Sequence, residues 1–283
     1  NLVTNNKNII FITSDNFSNN DEFSLIDESQ TVIDNIIGTA NYDIGHTFST
    51  GGGGLASLGS VCSSWSKASG ITGSPSPVGD AFDVDYVAHE MGHQFGANHT
   101  QNNSCQRNNP TAMETGSGST IMSYAGICSP NVQSNVDAYY HYASIKEIQT
   151  FLLTATCAQQ TTVTNSPPVV TPLTAKTIPY GTPFILSTTF EQVNNQTATQ
   201  PPTANSTTGP AFRSIMPSTN NFRSFPNIST VLNGTTNSNG IVSNQWERLA
   251  TVGRTYNFVV TVRDKNATGA RVVYTPATTI TVA

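Results

Sequence analysis

Hydrophobic and polar positions follow two rhythms along this chain of 283 residues, and the change of rhythm divides it. Upstream, helical and strand periods are mixed. Residues 24–37 place Ile26, Ile33, Ile36 and Ile37 on one helical face, with Ser24 and Asp27 as an S-x-x-D start and Gly38 as a stop. Residues 8–13 read as a short buried strand, and Tyr42, Ile44, His46 and Phe48 alternate as a second. Residues 55–61, after the glycine run Gly51 to Gly54, are a third strand candidate. A helix is predicted from residue 83, with Val84, Val87, Ala88, Met91 and Phe95 packing inward and Gly96 turning the chain. A late helix is predicted to start at Ser144, capped with Glu147, and to run through Ile145, Ile148 and Leu152.

Downstream the helical period is lost. Residues 158–172 are polar and proline-rich, with Pro167-Pro168 favouring an extended linker. Beyond them, Tyr256, Phe258, Val260 and Val262 alternate onto one face, and residues 278–282 form a closing strand. Asn233-Gly234 and Asn239-Gly240 are turn signals, whereas residues 188–210 hold too few apolar positions to trace as strands. The expected organisation is an α+β domain over 1–157, a linker over 158–172 and an all-β sandwich over 173–283.

Composition changes this picture in one respect. Charged residues make up 10% of the chain and the net charge is −5, where soluble proteins average about 25% charged. The charge is divided: residues 1–157 hold 14 acidic and 4 basic side chains, residues 158–283 hold 3 acidic and 8 basic. A nucleic-acid partner is therefore not expected, although the acidic part is expected to favour cations and basic peptides. A hydrophobic content of 36% argues against disorder, and no apolar run reaches membrane-spanning length.

The chemistry lies in the acidic part, which holds all five histidines and all four cysteines. His89, Glu90 and His93 form H-E-x-x-H; on a helix the two imidazoles stand one turn apart on the same side. The turn at Gly96 returns His99 to the same point, completing H-E-x-x-H-x-x-G-x-x-H. Three histidines leave one position of a Zn²⁺ for water, the arrangement of a catalytic site. Glu90 points away from the ligands and is placed to act as general base and then acid. His46 and His141 read as structural. Asp80, Asp83 and Asp85 read as helix N-terminal charges, with a Ca²⁺ site as the alternative.

On these residues the chain resembles the metzincin metalloendopeptidases, most closely the bacterial reprolysin (adamalysin-like) group. The sequence Ser119-Thr-Ile-Met-Ser-Tyr124 matches the family's methionine turn. The resemblance implies a mixed sheet with an active-site helix, Met122 as a floor beneath the imidazoles, and cleavage of internal peptide bonds. It also implies that Gly53, Gly54, Leu55 and Ala56 form an edge strand on which substrate lies. Thr100 departs from snake-venom and ADAM-type reprolysins, which carry aspartate there. Tyr124 instead resembles the astacin and serralysin tyrosine, as a fifth ligand or an oxyanion helper, with a core tyrosine as the other reading. The family's opening strand and long helix are not found before Ile9, so an N-terminal part of the domain is expected to be missing.

Four cysteines without a C-x-x-C spacing point to two disulfides in an exported protein and allow three pairings. The reprolysin resemblance implies Cys62–Cys157 and Cys105–Cys128. The β part resembles immunoglobulin-like or fibronectin-like modules of secreted bacterial enzymes, with a surface, glycan or protein as its partner. The expectation is a secreted, monomeric zinc endopeptidase acting on proteins or peptides. The competing readings are a metalloprotease-fold adhesion protein with little activity and a zinc hydrolase of a non-peptide amide.

Overall fold

The computed structural model of the chain describes residues 2–187, 190–220, 222–233 and 245–283. Thr188, Thr189, Gly234 and the Asn239-Gly240 turn lie outside the described residues. By internal contacts the chain forms two compact units that do not follow it linearly. One is Asn1–Asn98 with Ile145–Gln160, the other His99–Ser144 with Thr161–Ala283.

The first unit holds a three-stranded sheet of β1 (Thr47–Ser49), β2 (Gly53–Ala56) and β3 (Gly70–Gly73), in the order β1-β3-β2. β1 runs parallel to β3 and β2 antiparallel to it. The first helix spans Glu22–Ile37, and its cap is Asp21, whose carboxylate accepts from the Phe23 and Ser24 amides. Ser24 is therefore inside the helix. The buried row is Leu25, Ser29, Ile33 and Ile37, while Ile36 is exposed. Ser29 can occupy a core position because its hydroxyl meets Thr47 Oγ1 and the Ala68 carbonyl, both at 2.7 Å.

Four sequence expectations are corrected here. Residues 8–13 form no strand: a 3₁₀ turn covers Asn6–Ile9, and Ile10 and Ile12 are exposed. Among the described residues β1 pairs only with β3, so this run has no sheet partner; with the first helix it lines a cavity of about 790 Å³. The strand through Tyr42 is confined to β1, because Thr39–Asn41 is a 3₁₀ turn and the Tyr42 hydroxyl is held by Asp34 at 2.7 Å. The strand over 55–61 stops at Ala56. Beyond it the Gly59, Ser60 and Val61 amides donate to the His93 and Gln94 carbonyls, closing the end of the helix that carries the histidines. The late helix is Tyr142–Leu152, so Ser144 is not its cap; Glu147 instead accepts from Asn98 N at 2.8 Å and Asn98 Nδ2 at 2.9 Å.

The second unit contains β4 (Lys176–Ile178), β5 (Phe184–Leu186), β6 (Phe190–Gln192) and β7 (Arg223–Phe225). It continues with β8 (Arg254–Arg263), β9 (Val272–Tyr274) and β10 (Thr278–Val282). One sheet runs β4-β10-β8-β6 with β9 also on β8; β5 and β7 form a second. Tyr256, Phe258 and Val260 are buried on one face of β8, as their alternation predicts. The two sheets share this core, Phe225 of β7 meeting Phe258 of β8 with ring centroids 4.7 Å apart. The chain is thus α+β followed by a β region. Among the described residues no helix is long and apolar enough to cross a membrane.

Candidate metal centre

The histidine-bearing helix is continuous over three segments: α-helical Asp80–Phe82, π-helical Asp83–Ala88 and α-helical His89–Gln94. The wider π turn holds more residues than an α turn and re-phases the apolar positions against those that follow. Val84, Val87, Ala88, Met91 and Phe95 are accordingly only half-buried, where the sequence predicts a core face. The buried positions are Phe82 in the first segment and His89, Glu90, Gly92 and Gln94 in the last.

Gln94 explains how polar groups fill that face. Its Nε2 donates to the Gly45 carbonyl at 2.9 Å and its Oε1 meets His46 Nδ1 at 2.8 Å. His46 Nε2 in turn meets Thr72 Oγ1 at 2.8 Å, so both nitrogens of this imidazole serve the core. His141 is fully buried, and its Nδ1 accepts from Ala143 N at 3.1 Å.

After Gln94 the chain leaves the helix through Gly96, at φ 90°. The Gly96 amide bonds the His93 carbonyl at 2.8 Å and the Ala97 amide bonds the Gly92 carbonyl at 2.9 Å, a Schellman ending that favours glycine. His89, His93 and His99 then each bring one ring nitrogen to within 4.8 Å of the other two. Among the described residues these three are the group able to hold a metal ion, and Asp80, Asp83 and Asp85 join no such group.

The donor set fits a metal. His93 Nδ1 lies 2.7 Å from the Ala97 carbonyl and His99 Nδ1 lies 3.0 Å from the Gln106 carbonyl. A carbonyl only accepts, so these Nδ1 atoms carry the protons and each Nε2 keeps its lone pair. Imidazole ligands are commonly oriented in this way. Burial also holds the His99 imidazole below its ordinary pKa, favouring the neutral form.

Glu90 is 8% exposed, and burial pushes its carboxyl up to about 8; a dication nearby would oppose that rise. β2 passes so close that a Cβ on Gly54 would lie 2.5 Å from Glu90 Oε1. Met122 is fully buried, its carbonyl accepting from Thr100 N at 3.0 Å. The Tyr124 ring lies against His99, centroids 4.5 Å apart. Both disulfides pair as the resemblance implies, Cys62 with Cys157 and Cys105 with Cys128.

Two features escaped the sequence reading. The π turn leaves no periodic mark, because it is one turn within a longer helix. Glu114, a buried carboxylate bonded to residues on both sides of it, has only a faint signal: a lone acid ahead of a run of small polar residues in a chain with 10% charge.

Three convergent imidazoles able to hold a metal ion thus stand on and just beyond the helix that bears the buried Glu90 carboxylate. The family model for the reprolysin-like metallopeptidases of family M12B matches residues 1–152, more than half of the chain, and the chain belongs to that family. No curated protein matches it.

Proposed function

We propose that this chain is a secreted zinc endopeptidase in which His89, His93 and His99 hold the ion and Glu90 moves the proton. The observation that carries the reading is the convergence of three imidazoles, two of them oriented by backbone carbonyls, on the helix that bears a buried Glu90. Zinc bound there supplies polarisation of the scissile carbonyl and a water with its pKa lowered toward about 7. Glu90 takes the proton from the attacking water and returns it to the leaving amine. β2 hydrogen-bonds to β3 on one side; the other edge of Gly53, Gly54, Leu55 and Ala56 receives the substrate as an added strand. Tyr124 assists at the oxyanion or as a further ligand, and Met122 forms the floor of the site.

Residues 1–157 are read as the catalytic domain and 173–283 as an immunoglobulin- or fibronectin-type module that holds the monomeric enzyme to a surface, glycan or protein. The two disulfides support an exported protein. The acidic charge of residues 1–157 supports a preference for basic peptides.

Digestion of a protein substrate, with chelator and with zinc restored, tests the reading. Chelation is expected to stop cleavage and zinc to return it, and Glu90→Ala is expected to lose roughly 10²–10⁴-fold in rate. Cleavage retained by Glu90→Ala, or zinc far below one per chain, overturns it.

A further inference from the structure

The stretch from Glu114 to Ser123 is buried throughout, although it contains no helix or strand. Apart from Ile121, Met122 and two glycines, its side chains are polar. Such a segment must be held by specific hydrogen bonds, since a buried polar group without partners is costly. Ser117 Oγ bonds Asn131, and among the described residues Thr115 Oγ1 and Ser123 Oγ have no hydrogen-bond partner. Glu114, 1% exposed, provides part of these bonds, to Ser119 and Thr120 within the stretch and to Thr100 outside it. Its Oε1 accepts from Thr100 Oγ1 at 2.7 Å and from Thr120 Oγ1; its Oε2 accepts from Ser119 N at 2.9 Å and Ser119 Oγ at 3.4 Å. Among the described residues no cation lies within ion-pair distance of this carboxylate, so these donors are what hold it.

The donors come from two stretches of chain that meet at this carboxylate. Thr100 directly follows His99, while Ser119 and Thr120 lead into Met122. The backbone repeats the connection: Glu114 N donates to the Thr100 carbonyl at 2.9 Å, and Thr100 N donates to the Met122 carbonyl at 3.0 Å.

We propose that Glu114 is a positioning residue for the metal centre: its carboxylate clamps Thr100 to the turn that carries Met122 and thereby sets the His99 imidazole. The proposal rests on the zinc reading above. A glutamine at 114 keeps one acceptor but turns an NH₂ toward one pair of donors. An alanine removes the clamp.

The test is the zinc dissociation constant of the full chain, measured by competition with a chromophoric chelator, alongside thermal melting of the metal-free protein. A group bonded directly to a ligand is worth about 10–100-fold in metal affinity. Glu114 acts one residue away from His99, so Glu114→Ala is expected to weaken zinc binding by about 10-fold and Glu114→Gln by less. Thr120→Val, which removes a single donor, is expected to weaken zinc less than either and decides the matter if the Glu114 variants do not fold. Leu25→Ala, a cavity variant in the first helix, is expected to lower the melting temperature and leave zinc affinity unchanged. A Glu114→Gln or Thr120→Val protein that melts earlier yet binds zinc as the wild type does would overturn the positioning role. A wild-type chain that takes up no zinc would overturn the reading beneath it, and the failure would show in the wild type itself.

Discussion

His89 and His93 are placed by one physical device and His99 by another. The first two stand on a helix, where backbone hydrogen bonds fix the geometry and a spacing of four residues brings the rings edge to face, with centroids 4.9 Å apart. His99 opens a stretch that reaches the late helix at Tyr142 with no regular element, its only strand-like feature being the bridge Gln101–Glu114. Order there comes from side chains. Thr111 Oγ1 holds the His99 carbonyl at 2.6 Å, the Ser117 hydroxyl meets Asn131 Oδ1 at 2.8 Å, and Glu114 gathers three residues. The same stretch is bonded into the β region of its own unit: Asn102 Nδ2 donates to the Gln196 carbonyl and Gly116 N to Gln200 Oε1. A helix tolerates the loss of one polar contact because its ladder remains. A side-chain network does not.

The disulfides offer the largest way to break this contrast. In the loop-entropy account, sequence separations of 95 and 23 residues correspond to about 5 and about 3 kcal/mol. Paired serine substitution at Cys62 and Cys157 is expected to cost more in melting temperature, yet to leave zinc affinity intact. The same substitution at Cys105 and Cys128 is expected to cost less stability but to weaken zinc, because it frees the irregular stretch. Thermal melts with zinc titration check both, and equal effects on zinc from the two pairs would erase the distinction.

The contrast also explains what was legible in the sequence. H-E-x-x-H and the alternation of Tyr256, Phe258 and Val260 are local repeats, and a local repeat reports a regular element wherever it packs. Gly96 was legible for a similar reason, since its backbone conformation excludes most side chains. The failures depend on distant partners. Ser29 sits in the core because Thr47 and Ala68 are there to receive its hydroxyl, and residues 8–13 lack a strand to pair with. Glu147 has the spacing of a cap partner for Ser144 but holds Asn98, forty-nine residues away. Glu114 could not be singled out, because its meaning lies in which hydroxyls surround it.

Next in size is an effect confined to the regular side. Gly54→Ala would press a Cβ against Glu90 Oε1, and displacement of a reacting group by about 1 Å costs on the order of 10²-fold in rate. The expected result is a fall of that size in kcat/KM with one zinc per chain retained. Lost zinc would place the damage in the ligands and not in the base. On the irregular side, Asn102→Ala removes donors to the Ala112 and Gln196 carbonyls and an acceptor for Ala198 N. It is expected to destabilise by about 2 kcal/mol in denaturant titration. A loss below about 0.5 kcal/mol, the size of an ordinary surface substitution, would mean that the network is redundant there.

The smallest effect asks whether polar contacts on the regular side are merely peripheral. Asp34, near the end of the first helix, accepts from Thr39 Oγ1, the Tyr42 hydroxyl and Gln30 Nε2, each at 2.7 Å. Burial alone would push its carboxyl up, but these hydrogen bonds outweigh it, Lys67 adds to them, and the pKa lies below its ordinary 3.8. A carboxyl that ionises more readily in the folded chain stabilises the fold above its unfolded pKa, and the contribution is lost as pH falls through the lowered value. Solvent reaches much of the group, so the gain is modest. Asp34→Asn is expected to cost about 1 kcal/mol at pH 7 and to flatten the decline of melting temperature below pH 4. Parallel profiles for the two proteins from pH 7 to pH 2 would show that the Asp34 carboxylate adds no pH-dependent anchor to the helix, which would then rest on its buried row of Leu25, Ser29, Ile33 and Ile37.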